Sequence, residues 1–152
     1  MLLVLIRASS PRDAVLGRIP GVGGFQDIKD HPQAETIPGL MIYRFDSALL
    51  FFNSDCFKSR IRIHIKAAAA PPRTFLLDAE SMPFMDSTRE ASLEEAVGEL
   101  SGQGISFAVA RPNDRVRLVL ERTGLKQKIG AGNLFPRIES AVAALRLPDR
   151  SQ

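Results

Sequence analysis

Three short stretches in this chain are apolar at successive positions, and they constrain the fold more than any other feature. They are Gly39-Leu40-Met41-Ile42-Tyr43-Arg44-Phe45-Asp46, Thr74-Phe75-Leu76-Leu77-Asp78-Ala79 and Ile105-Ser106-Phe107-Ala108-Val109-Ala110. A strand with one wet face alternates apolar and polar residues. The Thr74–Ala79 run does not alternate, so it reads as a strand covered on both faces. Helical periodicity fills the intervals. Phe57, Ile61 and Ile65 fall at i, i+4 and i+8, and Leu93, Val97 and Leu100 at i, i+4 and i+7. Val116, Val119, Leu120 and Thr123 form one face, and Ile138, Val142 and Leu145 another. Strands alternating with such helices imply crossover connections and parallel pairs. The expected class is α/β, a mixed β-sheet with flanking helices.

Local signals set the boundaries. Asp13–Ile19 reads as a short strand stopped by Pro20-Gly21, and Gly21-Val22-Gly23-Gly24 as a flexible turn. No helical pattern follows those glycines, as a dinucleotide-binding loop would require. Residues 25–38, polar with two prolines, read as a loop. The apolar run Ala48–Phe52 is expected to pair with 39–46 as a hairpin. Asn53, Ser54 and Asp55 offer N-caps for the next helix, which Pro71-Pro72 ends. Ser87 and Glu90 have capping-box spacing, and Gly102 or Gly104 stops the helix they open. Pro112 suits a first helical turn, Gly124 a C-cap, Leu134-Phe135 a short edge strand, and Pro136 the approach to the last helix.

Composition removes several function classes. The 152 residues are 45% hydrophobic and 24% charged, which fits one ordinary globular domain. The net charge of +3 is spread through mixed pairs such as Arg89-Glu90 and Glu121-Arg122. Nucleic-acid binders show a clustered basic stripe, so no nucleic acid is expected as partner. The lone Cys56 forms no internal disulfide, fits a reducing compartment and reads as an inert helical thiol. His31 and His64 are the only histidines, and no zinc, P-loop or nucleophile-elbow motif occurs. No metal site, no cofactor and no catalytic residue are expected. The apolar start Met1–Ile6 is far short of the about 20 residues of a membrane span. It reads either as a terminal strand or as the tail of a membrane helix. Arg7, Arg12 and Arg18 follow it, and positive charge beside a membrane favours the cytoplasmic side.

One place suggests binding. Asp78 and Asp86 follow strand ends, where ligands of α/β sheets often lie. Asp86-Ser87-Thr88 opens a helix after a buried strand. Free N–H groups at such a start favour an anion, and a hydroxyl there can carry a phosphate. A plain helix cap accounts for the same residues.

The segment Phe84-Met85-Asp86-Ser87-Thr88, after the strand Phe75–Asp78, resembles the loop of STAS domains, which occur in sulfate transporters and anti-sigma factor antagonists. Ala14–Pro20 and His31–Leu40 are similar to the linker of SulP permeases, and Tyr43–Ser54 resembles their YRFDAPLFFAN segment. Leu49 stands where that family often has proline, and Arg89 where the antagonists have glycine. The resemblance covers roughly residues 8–146. It implies the STAS, or anti-sigma factor antagonist-like, fold over residues 13–147. Residues 1–12 would be a linker from an absent transmembrane domain and 148–152 a flexible tail. It further implies a regulatory domain, not an enzyme, at the cytoplasmic face of the cell membrane. Its partners would be the transmembrane domain of the same sulfate or related anion transporter and, in the full-length protein, further protomers. A nucleotide ligand, GTP, GDP or ATP, would meet Asp86, Ser87, Thr88 and Arg89, with Arg111 adding charge. Two alternatives stand beside this reading. One is a free-standing antagonist switched by phosphate on Thr88. The other is a small nucleotide hydrolase, which the missing P-loop lysine disfavours.

Overall fold

The computed structural model describes residues 11–50, 52–86 and 91–146. Six strands form one sheet in the order β2-β1-β3-β4-β5-β6. They are β1 (Asp13–Arg18), β2 (Phe25–Asp27), β3 (Leu40–Phe45), β4 (Thr74–Asp78), β5 (Ser106–Ala110) and β6 (Leu134–Phe135). The pairs β3–β4, β4–β5 and β5–β6 are parallel, while β1 runs antiparallel to β2 and β3. The helices are α1 (Ser54–Ala67), α2 (Ala91–Gly102), α3 (Asp114–Arg122), α4 (Leu125–Ile129) and α5 (Ile138–Leu145), with a 3₁₀ turn at Ala131–Asn133. The fold is therefore the mixed α/β sheet that the unbroken apolar runs demand.

Side chains on a strand point alternately to its two faces, and both faces here are covered. Tyr43, Phe45, Phe75, Leu77, Phe107 and Val109 share one apolar core with Phe57 and Ile61 of α1 and Leu93 of α2. Val116 and Leu120 of α3 join it. Leu16, Ile42, Leu76, Ala108 and Ala110 point the other way and meet Ile138, Ala141 and Val142 of α5. Alanines on both β5 and α5 let the second layer lie close with a single helix. Every residue of β4 is buried, as a central strand between two layers must be.

The expected hairpin between 39–46 and 48–52 does not form. Both edges of β3 are occupied, by β1 and by β4. The interval around Ser47 is also too short to reverse the chain, since the tightest hairpins need a two-residue loop. Leu49 instead makes an isolated parallel bridge to Met85. The segment read as a loop contains β2, whose three residues are too few to show a period. Helix α4 follows Gly124, which has φ 76° and acts both beyond the end of α3 and at the start of α4. Pro112 precedes the N-cap Asn113 of α3 and is not in its first turn. The proposed capping box of Ser87 and Glu90, the segment 1–10 and the tail 148–152 lie outside the described residues.

Gly17 sits where β1 meets the returning segment 31–37. Arg18 and Glu35 exchange two backbone hydrogen bonds of 2.8 Å. A Cβ on Gly17 would lie 2.8 Å from the Glu35 carbonyl oxygen, a backbone atom that cannot swing away. Gly17→Ala is expected to cost about 1–3 kcal/mol of stability, as overpacking does. Gly23→Ala, with open space around the new methyl, is the matched control. Urea denaturation of both variants checks this, and equal midpoints would show that the 31–37 segment yields freely.

Candidate functional site

In parallel β-α units each helix begins at the carboxyl end of the preceding strand. The N-termini of α1, α2 and α3 therefore gather at one rim of the sheet, with their positive dipole ends toward it. Two asparagines organise this rim. Asn53, fully buried, precedes α1. Its Oδ1 accepts from the Leu50 N–H at 2.8 Å and its Nδ2 donates to the Ala48 carbonyl at 2.8 Å. It thus ties Ala48 and Leu50 to the start of α1 and makes no side-chain cap to the helix. Asn113 does cap α3, accepting from the Val116 N–H at 2.9 Å. Its amide also donates to the Met82 and Pro83 carbonyls at 3.2 and 2.9 Å.

The 82–86 loop is fixed from its other side too. The Leu49 N–H donates to the Phe84 carbonyl at 3.1 Å, and the Asp86 N–H donates to the Leu49 carbonyl at 2.9 Å. Met82 and Met85 are buried beneath, whereas Phe84 and Phe52 are exposed. Residues 82–86 are therefore held from both sides, by Leu49 and by Asn113. Ser87, Thr88 and Arg89 lie outside the described residues.

Arg111 is placed differently. Asp78, fully buried, accepts from its Nε at 3.0 Å and its Nη2 at 2.7 Å, and Glu80 lies 2.7 Å from Nη1. Hydrogen bonding by the Asp78 carboxylate raises the Arg111 pKa, against the opposing effect of burial. Arg111 has φ 56°, the left-handed region that a residue with a Cβ seldom occupies. On β4, Asp78 shares the face of Leu76, which is the α5 side. Met82 and Met85 pack with the opposite core. The structure thus joins Arg111 to Asp78 and Glu80 on one face, while the segment 82–86 that ends at Asp86 packs on the other through Met82 and Met85. The sequence marks Asp78 and Arg111 separately; it carries no sign of the clamp between them. The anchoring asparagines are equally silent, although an Asn between a strand and a helix is a signal that can be searched for.

A second polar cluster lies under α1. Asp13 accepts from Tyr43 Oη at 2.9 Å, from Arg60 Nε and Nη2 at 2.9 and 3.0 Å, and approaches His64 Nε2 at 3.1 Å. Burial alone would raise the Asp13 pKa. The hydrogen bonds from Arg60, Tyr43 and His64 outweigh it and hold the carboxyl below its ordinary 3.8. Burial, then the Asp13 charge, pushes Tyr43 far above its usual range, so it remains a neutral donor. Arg60 Nη2 also lies 3.3 Å from His64 Nε2. With Asp13 as a full acceptor both of these nitrogens carry protons, so that approach is a contact and not a hydrogen bond.

Among the described residues no group of His, Cys, Asp and Glu is arranged to hold a metal ion. No described helix is long and apolar enough to cross a membrane.

A mixed six-stranded sheet with flanking helices is also the fold of the solved STAS domain that this chain matches. The family model for the STAS domain matches residues 31–141, and the chain belongs to that family. The chain is 38% identical over 146 residues to a probable sulfate transporter of Mycobacterium tuberculosis. That match takes in 96% of this chain and 26% of the transporter, so the chain spans about a quarter of its relative's length. Murine solute carrier 26 family member A9, an anion transporter solved in the inward-facing state, matches with a TM-score of 0.82. The identity is 19%, over 95% of this chain and 24% of that one. The STAS domain of a SulP transporter from Vibrio cholerae matches with a TM-score of 0.59 and 23% identity, over 77% of this chain and 88% of that one. At these identities the solved structures bear on the fold. The likeness to SulP sulfate transporters expected from the motifs at 14–20, 31–40 and 43–54 is borne out by the sequence match.

Proposed function

We propose that this chain is the cytoplasmic regulatory domain of a SulP-type transporter of sulfate or a related anion, a binding module without catalytic residues. The observation that carries this reading is the match of 96% of the chain to about a quarter of a sulfate transporter. Its partners on this reading are the transmembrane domain of the same transporter and, in the full-length protein, other protomers. The rim is the place where control is exerted. A guanine or adenine nucleotide sets its phosphates against the backbone amides near Ser87 and Thr88, whose hydroxyls add hydrogen bonds. Asp86 stands directly before these residues in the chain, and Arg89 supplies the cation. Arg111 is the weaker cationic candidate, because Asp78 and Glu80 already share its charge. The exposed Phe52 and Phe84 lie in the segments before α1 and before Asp86 and suit protein contact.

An NMR titration of the labelled chain with GTP, GDP, ATP and, separately, sulfate tests this. Saturable shifts centred on residues 86–90 with one nucleotide, lost in Ser87→Ala/Thr88→Ala, are expected. Affinity unchanged in that double variant, or no shift with any ligand, overturns the nucleotide reading and leaves protein contact as the role of the rim. Mass measurement after incubation with candidate kinases tests the phosphate switch. A stable phosphate on Thr88 would favour the antagonist reading. Phosphate release from a nucleotide would favour the hydrolase and contradict a module without catalysis.

A further inference from the structure

Residues 12–38 pair largely among themselves. β1 pairs with β2, Arg18 and Glu35 exchange backbone hydrogen bonds, and the Ile28 N–H donates to the Val15 carbonyl at 3.1 Å. The rest of the sheet meets this unit along one edge of β3. Asp13–Leu16 pair there with Phe45–Ile42, and the Asp46 N–H donates to the Arg12 carbonyl at 2.9 Å.

Side chains tie the unit down far more narrowly. Among the described residues, every side-chain hydrogen bond and ion pair from 12–38 to the rest of the chain ends on one carboxylate, that of Asp13. The bond from the Lys29 N–H to Asp27 and the stacking of Arg18 over Phe25 stay inside the unit. Asp13 gathers Tyr43 of β3 together with Arg60 and His64 of α1.

Beyond Asp13 the unit and α1 part. A groove of about 410 Å³ opens there, with Val15 and Ile28 among its lining on one side and Ala67–Ala70 on the other. Its lining atoms forgo the dispersion contacts that close packing supplies elsewhere. Val15 is the one buried residue of the unit in the core under α1, while Ala14 and Leu16 join the core under α5. The seam between the unit and α1 is thus apolar and underpacked, with one polar fastening. Segments with few buried contacts open at lower cost than the whole domain.

We propose that residues 12–38 open as one cooperative unit before the rest of the domain unfolds, and that the Asp13 carboxylate is the latch setting how often they do. Opening breaks the β1–β3 ladder and releases Arg60 and His64 together, so α1 loses its polar seat in the same event. On the reading that residues 1–12 lead from a transmembrane domain, Asp13 stands where movement of that linker reaches the domain. This consequence rests on that reading; the latch does not, and the experiment reads the latch alone.

Native-state hydrogen exchange of the full chain, followed by NMR, tests it. The amides of Arg18, Ile28, Glu35 and Asp46 carry hydrogen bonds within the unit or to it. They are expected to exchange at a common rate, about tenfold or more above the slowest amides of β4 and β5. Asp13→Asn, which keeps the shape and removes the charge, should raise the rate of these four by a further factor of about ten or more. Val116→Ala, a truncation in α3 outside the unit, should speed the slowest amides of β4 and β5 and leave the four unchanged. One rate shared by the four and by β4 and β5 in the parent chain would overturn the proposal, since the domain would then open only as a whole. Four unrelated rates would overturn it too, as the mark of local fraying. So would rates of the four that Asp13→Asn leaves unchanged. Should Asp13→Asn fail to fold, Arg60→Gln leaves Tyr43 and His64 on the acid and should speed the same four by about threefold or more. No change in that variant would equally overturn the latch.

Discussion

Arg111→Ala is expected to lower the stability of this domain by about 3–4 kcal/mol, the range seen when one member of a buried ion pair is removed. Asp78 is fully buried, and Arg111 supplies both of its charge-assisted bonds. Without the guanidinium the carboxylate keeps, among the described residues, only the Glu80 N–H, at 3.2 Å. The Arg111 side chain is 32% exposed, so water reaches part of the site and the lower half of the range is favoured. Backbone conformation adds a second, separable effect. At φ 56° alanine carries the same steric burden as arginine, whereas glycine does not. Arg111→Gly should therefore be about 1 kcal/mol more stable than Arg111→Ala although it loses the same contacts. Asp78→Asn placed in the Arg111→Ala background should recover part of the loss, because it removes the orphaned charge. Urea midpoints of the three variants check this. An Arg111→Ala loss below about 1 kcal/mol would show that the clamp is a surface ion pair in energetic terms.

Asp13→Ala is the second large effect, about 3 kcal/mol. It leaves the Tyr43 hydroxyl without its acceptor inside the core, where an unsatisfied polar group costs about 1–3 kcal/mol. It also removes the charge-assisted bonds that tie Arg60 of α1 to β1. For a domain of this size the melting temperature should fall by roughly 6–12 °C. The pH dependence has a definite sign. The folded Asp13 carboxyl lies below its ordinary 3.8, so the folded state binds its proton less readily than the unfolded chain does. Its contribution is complete above that value and is lost as pH falls through the folded pKa. Between about pH 5 and pH 3 the parent chain should lose more stability than Asp13→Asn, which has no carboxylate to protonate. Parallel slopes over that interval would mean that Asp13 is no better stabilised in the folded protein than in the open chain. The effect concerns folding and is read without any ligand.

The two clusters differ in how far the sequence announces them. Asp78 and Asp86 are legible as strand-end acids because strand position follows from local apolar runs. The pairing of Asp78 with Arg111 bridges 33 residues, and that of Asp13 with His64 bridges 51. Nothing local records either contact. Tyr43 reads simply as one more β-former, and Arg60 and His64 as polar positions on a helix. Their meeting point exists because β1 inserts antiparallel beside β3 and α1 then crosses over both.

The amino-acid sequence by itself determined the β3, β4 and β5 strands, the faces of α1, α2, α3 and α5, and the mixed α/β class. Those follow from the spacing of apolar residues, which records which side of an element must leave water. Its motifs also pointed to the family. Only the tertiary structure decided that Leu49 bridges to Met85 in place of a hairpin with β3, that 25–27 is a strand, and that Arg111 is turned toward Asp78. It alone brought Asp13, Tyr43, Arg60 and His64 together beside an open groove. Burial is a property of a residue and its near neighbours, so a period in the chain can encode it. Partnership between distant residues depends on strand order and helix crossing, which are set when the whole sheet closes.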